Sequence, residues 1–153
     1  MSIYYCYGDL LESNVDFICH QVNCQGKMGA GIAKSIRDKW PRVYSTYKDW
    51  CDGKFYDKIT LGKIQIVDIS DGKSVVNMAA QNYYGNHGRF TSYDAFYSCL
   101  EEIRNNVPAG SKIGFPYKIG CVRGGASWAI IYTMIAEVLS EAFDVYIFKY
   151  IGG

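Results

Sequence analysis

Proline is scarce in this sequence, at three residues in 153, and histidine scarcer, at two. There is no proline-rich linker, internal repeat or low-complexity run, so one domain is expected across residues 1–153. Net charge is nearly absent, at +1. Without a basic field, wrapping duplex nucleic acid by phosphate neutralisation is excluded, although a local basic patch for one small anion is not. No apolar run reaches the roughly 18 residues of a membrane span, so no membrane partner is expected. The opening residues, Met1 to Cys6, lack the basic-then-apolar pattern of a secretory signal. No two of the six cysteines form a Cys-x-x-Cys pair, which argues against a zinc ribbon or a thioredoxin-type site. No metal and no cofactor are expected. Reduced thiols in a cytosol are the better reading of these cysteines.

Tyrosine and glycine, in contrast, are plentiful, at 14 and 16 residues. Short apolar runs alternate with amphipathic stretches, the pattern of an α/β protein. Residues 3–7 and 16–23 read as strands. Ile32, Ile36 and Trp40 then share one helical face, and Pro41 opens a second helix with Val43, Tyr47 and Trp50 inward, closed by Gly53. Residues 64–69 and 75–80 read as an antiparallel pair around Asp71-Gly72. Residues 81–90 form a loop. Thr91 or Ser92 caps a third helix with Tyr93, Phe96, Tyr97, Leu100 and Ile103 on its apolar face. Strand 112–115, a glycine-bearing loop 117–126, a helix capped by Ser127 with Trp128, Ile131, Ile135 and Val138 inward, and strand 145–150 complete the chain. About six strands and four helices suit one mixed sheet covered on both faces. Ligands of such sheets sit beyond the carboxyl ends of the strands, where both glycine loops fall.

The first glycine loop, Gln25-Gly26-Lys27-Met28-Gly29-Ala30-Gly31, lies between a strand and a helix. Glycine permits close backbone approach, and a helix start offers free N–H donors to a phosphate. The loop is neither a Walker A nor a Rossmann fingerprint. On spacing alone it serves equally as a turn into a tightly packed helix.

Tyr7-Gly8-Asp9-Leu10-Leu11 followed by His20-Gln21-Val22-Asn23-Cys24-Gln25-Gly26-Lys27-Met28-Gly29-Ala30-Gly31-Ile32-Ala33 resembles the macro domain family. The similarity continues through Phe115-Pro116-Tyr117-Lys118-Ile119-Gly120-Cys121 and Trp128, over nearly the whole chain. It is nearest the branch of terminal ADP-ribose protein glycohydrolases, yeast-type ADP-ribose-1''-phosphate phosphatases and similar phage and bacterial proteins. The resemblance implies a three-layer α/β/α fold and a site for ADP-ribose or a related nucleotide. It implies that Asp9 accepts from the adenine amino group with Leu10 alongside, and that Asn23 lies near the distal ribose. Gly29, Ala30 and Gly31 would carry backbone donors to the phosphates. Ile119, Gly120, Cys121, Val122, Arg123 and Gly124 would form the facing loop, and Phe148 would lie against adenine. Each has a plainer alternative: a turn for Asp9 and Asn23, core for Phe148, packing for Cys121, a solvated side chain for Arg123.

His20 and the His87-Gly88 pair resemble histidines of the phosphatase-like members, which makes them the candidate acid and base; structural burial is the alternative for His20. The glycohydrolase members pair a lysine with an aspartate, and the corresponding positions here are Gly85 and Gly124. Serine at 127 stands where many relatives have aspartate. Two functions follow. One is an enzyme that removes phosphate or ADP-ribose from an ADP-ribosyl compound, with ADP-ribosylated protein or DNA as partner. The other is a non-catalytic reader, sensor or sequestering module. A monomer is expected.

Overall fold

The computed structural model describes residues 2–54, 57–85 and 88–150. Six strands form one sheet: β1 (Ile3–Tyr7), β2 (Phe17–Val22), β3 (Ile64–Ser70), β4 (Lys73–Ala79), β5 (Lys112–Pro116) and β6 (Asp144–Lys149). Four α-helices accompany them: α1 (Gly31–Lys39), α2 (Pro41–Cys51), α3 (Tyr93–Asn106) and α4 (Trp128–Leu139). The strand order is β1-β6-β5-β2-β4-β3. Every neighbouring pair is parallel except β3 with β4, joined through the expected Asp71-Gly72 turn. Five strands therefore end at one rim, and the loops that leave them gather there.

Strand alternation divides the core into two layers. Cys19, Val76, Met78, Ile113, Phe115, Val145 and Ile147 meet Phe96, Leu100 and Ile103 of α3 and Ile131 and Ile135 of α4. On the other face Ile18, Val22, Val67 and Val75 meet Ile36 of α1 and Val43, Tyr47 and Trp50 of α2. Each fully buried side chain of this size contributes about 1.5–3 kcal/mol by leaving water. This is the three-layer α/β/α arrangement with a mixed six-stranded sheet that the sequence leads one to expect.

Local signals are met with small departures. Pro41 occupies the first turn of α2, and the Ser92 hydroxyl caps α3 by accepting from the Ala95 N–H at 3.2 Å. Ser127 stands at the cap of α4 but its side chain makes no capping bond; its N–H instead donates to the Tyr93 hydroxyl at 2.8 Å. Trp128, expected inward, is only half-buried and joins a group of surface rings. A 3-10 turn over Leu10–Glu12 follows β1. Among the described residues no helix is long and apolar enough to cross a membrane.

Candidate functional site

Both glycine loops open onto one cleft of about 750 Å³ at the carboxyl rim of the parallel strands, a size that suits a nucleotide-scale ligand. Its first wall is built on Asn23, one residue past β2 and 8% exposed. Asn23 Oδ1 accepts from the backbone N–H of Gln25 at 2.9 Å and of Lys27 at 3.3 Å, and Nδ2 donates to the Lys27 carbonyl at 2.9 Å. The Tyr47 hydroxyl of α2 sits 2.6 Å from the Asn23 carbonyl and 2.9 Å from Oδ1, donating to one of the two. The side chain thus folds its own loop around itself and pins it to the second helix.

That loop delivers the chain to the start of α1. Ala30 is the extended N-cap residue and gives no side-chain cap; Gly31 follows at φ +58°. An α-helix leaves its first N–H groups without intrahelical acceptors. Here those groups belong to Gly31, Ile32 and Ala33, all of which line the cleft. The helix N-terminus therefore presents donors and positive potential to the cavity.

The second wall is the loop after β5. Thr91 anchors it. The Thr91 hydroxyl, on a residue 2% exposed, donates to the Gly120 carbonyl at 2.8 Å and accepts from Gln21 Nε2 at 2.7 Å. Gln21 Nε2 also donates to Gln81 Oε1 at 2.6 Å. The N–H groups of Phe90 and Thr91 donate to the Gly124 carbonyl at 2.8 and 3.0 Å. The packing is close enough to exclude side chains. A Cβ on Gly124 would lie 2.1 Å from Thr91 Oγ1 and 2.4 Å from the Gly120 carbonyl. A Cβ on Gly85, across the cleft rim, would lie 2.6 Å from the Phe90 ring. Neither position has room for a side chain without displacing its neighbours.

Of the residues singled out from the sequence, the cleft brings together Asn23, Gly29, Ala30, Gly31, Ile119, Gly120, Val122, Arg123 and Gly124. Asp9, Leu10, Cys121 and Phe148 do not line it. Asp9 is exposed just past β1, where its carboxylate accepts from the Leu11 N–H at 2.9 Å. Leu10 is core: its Cδ1 lies 2.5 Å from where a Cβ on Gly114 would stand. Phe148 pairs in register with Pro116, a cleft residue, which places it on the strand beside the cavity rather than in its wall. The Cys121 Sγ donates to the Ile119 carbonyl at 3.4 Å, and burial pushes its thiol pKa up, away from thiolate chemistry.

His20 requires a correction. It is fully buried among the layer under α1 and α2 and does not line the cleft. Its Nε2 lies 2.6 Å from Asn77 Oδ1, and its Nδ1 is buried without a partner. Desolvation pulls its pKa down to about 4, against the opposing hydrogen bond it donates to Asn77 Oδ1. A neutral imidazole sealed from solvent exchanges no proton with a ligand in the cleft. His87 lies outside the described residues. Gln21, Gln81, Thr91 and Lys118 are cleft or wall residues that sequence reasoning passed over. Period-two alternation offered one signal, since Gln21 must face opposite His20. No aspartate, glutamate, cysteine or histidine is among the described lining residues, which include Lys27, Lys118 and Arg123. Among the described residues no group of histidine, cysteine and carboxylate side chains is arranged to hold a metal.

No protein-family model matches the chain. It is similar to a DNA ADP-ribosyl glycohydrolase of Mycobacterium tuberculosis, with 26% identity over 146 residues, 94% of this chain and 40% of that protein. It is also similar to an ADP-ribose 1''-phosphate phosphatase of Scheffersomyces stipitis, with 36% identity over 83 residues, 50% of this chain and 48% of that one. The chain thus spans about half or less of the length of these relatives. Among solved structures it superposes on the macrodomain of Mycobacterium tuberculosis DarG with a TM-score of 0.80 at 23% identity, covering 95% of this chain and 96% of that one. Thermosipho africanus DarTG in complex with ADP-ribose matches with a TM-score of 0.78 at 21% identity, over 95% of this chain and 41% of that one.

Proposed function

This chain is a macrodomain by fold, and from that premise we propose that its cleft binds ADP-ribose or a close derivative. The observation that carries the reading is the uncapped start of α1 opening onto the same cavity as the loop of Gly120 and Gly124. Two facing sets of main-chain groups suit a diphosphate, whose charge the helix terminus and the lining residues Lys27 and Arg123 offset. In this reading the distal ribose lies toward Asn23. The adenosine end lies toward Asp9, Leu10 and Phe148, with Asp9 at the base edge. Similarity to a structure solved with ADP-ribose supports the choice of ligand. The six free cysteines suit a cytosolic setting, which belongs to the same proposal, as do a single domain and a monomer.

Calorimetry with ADP-ribose, AMP and NAD tests this. Micromolar binding of ADP-ribose is expected, with AMP at least tenfold weaker because it lacks the second phosphate and the distal ribose. Absence of heat with ADP-ribose at millimolar concentration overturns the proposal.

A second reading adds turnover, and the names of the curated relatives favour it. The described cleft supplies binding groups without a carboxylate or histidine, so binding without turnover is the primary reading. Incubation with ADP-ribose-1''-phosphate and with ADP-ribosylated DNA, followed by product analysis, separates the two. Product formed above the uncatalysed rate establishes the enzyme.

A further inference from the structure

We propose that the open edge of β1 is a docking site for an extended peptide of another protein. That peptide adds to the sheet as an antiparallel strand and brings a carboxylate to Lys149. The inference stands apart from the ligand of the cleft. β1 is the end strand of the sheet, with β6 as its neighbour. Two bonds at its ends give its hydrogen-bonding parity. The Gly8 N–H donates to the Lys149 carbonyl at 3.0 Å, and the Ser2 carbonyl accepts from the Val145 N–H at 2.9 Å. The even-numbered residues thus turn their main-chain groups to β6. Those of Ile3, Tyr5 and Tyr7 point out of the sheet, the unpaired row of an edge strand. Among the described residues no loop or turn bond reaches them.

Edges are ordinarily blunted by charge, proline or a bulge. β3, at the other end of the sheet, follows that rule: it carries Asp68 and a register shift between Asp68 and Ser70. β1 has none of these. Its sequence is Ile-Tyr-Tyr-Cys-Tyr, and its register with β6 is unbroken over five residues. Rings line both its faces instead. Tyr4 stacks on Tyr146 of β6 at 5.1 Å between centroids, and Tyr5 on Tyr132 of α4 at 6.1 Å. Yet Tyr4, Tyr5 and Tyr7 remain 45%, 54% and 71% exposed. A free main-chain row between half-covered rings suits strand addition, in which the backbone gives affinity and the flanking side chains give selection.

Charge selects the occupant. Lys149 pairs in register with Tyr7, and its Nζ lies 5.1 Å from the centroid of Tyr117, a ring that itself meets Tyr5. It is exposed and takes part in no ion pair among the described residues. A second copy of this chain, paired antiparallel about Tyr5, would set Ile3 opposite Tyr7, and β1 has no charged side chain to offer the lysine. A peptide with glutamate at that position supplies one. Residues opposed in such a pair exchange both main-chain bonds, and their side chains share a face. The fitting segment therefore begins with glutamate opposite Tyr7. An apolar residue, an aromatic residue opposite Tyr5, a second apolar residue and an aromatic residue opposite Ile3 follow.

The probe is a capped, fluorescein-labelled peptide, Ser-Glu-Val-Tyr-Val-Tyr-Ser. Anisotropy is expected to saturate below millimolar protein. With saturating peptide, amide exchange followed by NMR should slow roughly tenfold or more at Ile3, Tyr5 and Tyr7, and hold at Tyr4 and Cys6. N-methylation of the glutamate and both tyrosines removes the donors that face β1 and should weaken binding roughly tenfold or more. N-methylation of the two valines, whose N–H groups face solvent, should leave it unchanged. Both controls leave the protein untouched. Lys149→Gln should weaken the glutamate peptide about two- to fivefold and spare its glutamine counterpart. Tyr5→Pro removes one outward N–H without touching a β6 bond and should abolish binding. ADP-ribose calorimetry on both folded variants should be unchanged. No binding at millimolar peptide, equal loss from the two N-methyl patterns, protection gained away from β1, or glutamate and glutamine peptides that respond alike to Lys149→Gln would overturn the proposal. Sedimentation showing that the chain alone dimerises, and that Tyr5→Pro abolishes the dimer, would overturn it in favour of a second copy. Absence of ADP-ribose binding would count against the cleft alone, because the peptide is measured without it.

Discussion

His20 Nε2 lies 2.6 Å from Asn77 Oδ1, side by side on parallel strands and wholly out of water. Asn77 Nδ2 in turn donates to Gln65 Oε1 at 3.0 Å, and Gln65 Nε2 to the Thr46 carbonyl at 3.1 Å. A polar row therefore crosses three strands and ends on α2. Its role is structural, and its only titrating member is the histidine.

This row makes stability depend on pH. In the unfolded chain the imidazole takes a proton near 6.5; in the fold it resists until about 4. The unfolded state binds the additional proton over that interval, so stability falls as pH drops from about 6.5 to about 4 and is unaffected by this group above it. The loss amounts to about 3 kcal/mol. Urea unfolding at pH 7.5, 5.5 and 4.5 should show a shallower decline in His20→Gln than in the parent. Identical slopes would mean that the imidazole is protonated in the fold.

Rebuilding the missing lysine–aspartate pair should damage the protein instead of activating it. Gly124→Asp places its Cβ against Thr91 Oγ1 and the Gly120 carbonyl, and overpacking of this kind costs about 1–3 kcal/mol. Gly124→Ala should be destabilised similarly, and the cost should shrink in a Thr91→Ala background, because the two residues share one space. Thermal melts of the single and double variants measure this. Simple additivity would refute the clash.

Asn23→Ala should unfold the first wall. It removes an acceptor for two loop N–H groups in part-buried bonds, at about 1 kcal/mol each. Tyr47→Phe loses a single hydroxyl and should cost about 1 kcal/mol. The expected order of melting temperatures is parent, Tyr47→Phe, Asn23→Ala, and ADP-ribose affinity should follow it.

Asp9→Ala separates recognition from stability. The carboxylate is exposed and, among the described residues, bonds only the N–H of Leu11, a local turn contact. Removing it should leave the melting temperature within a few degrees while weakening ADP-ribose by roughly five- to a hundredfold, the effect of one acceptor worth about 1–3 kcal/mol. Unchanged affinity would remove Asp9 from the base edge.

Much of the architecture was legible because its signals are local. Pro41, Gly53, Asp71-Gly72 and Ser92 each mark an element boundary through their own backbone chemistry, and each stands where expected. The walls of the cleft were legible only in part. The glycines at 29 and 31 announce close approach, but the network behind Gly120 and Gly124 joins Gln21 of β2 to Gln81 and Thr91 at the two ends of a loop some sixty residues later. No spacing rule links those residues. Histidine on a strand was ambiguous for the same reason: alternation gives the face it points to, and only the packed layer under α1 and α2 shows that the face is sealed.

The strand order also sets a sequence of events. Ile3 pairs with Val145, and β6 is the sole neighbour of β1 in the sheet. On a ribosome the first strand made must therefore wait for the last before it has a partner, while β2, β4 and β5 dock without it. Contacts of such separation in sequence are slow to form. Tyr5 against Tyr132 comes into being only with that final docking, so this edge of the sheet is the last part of it to mature.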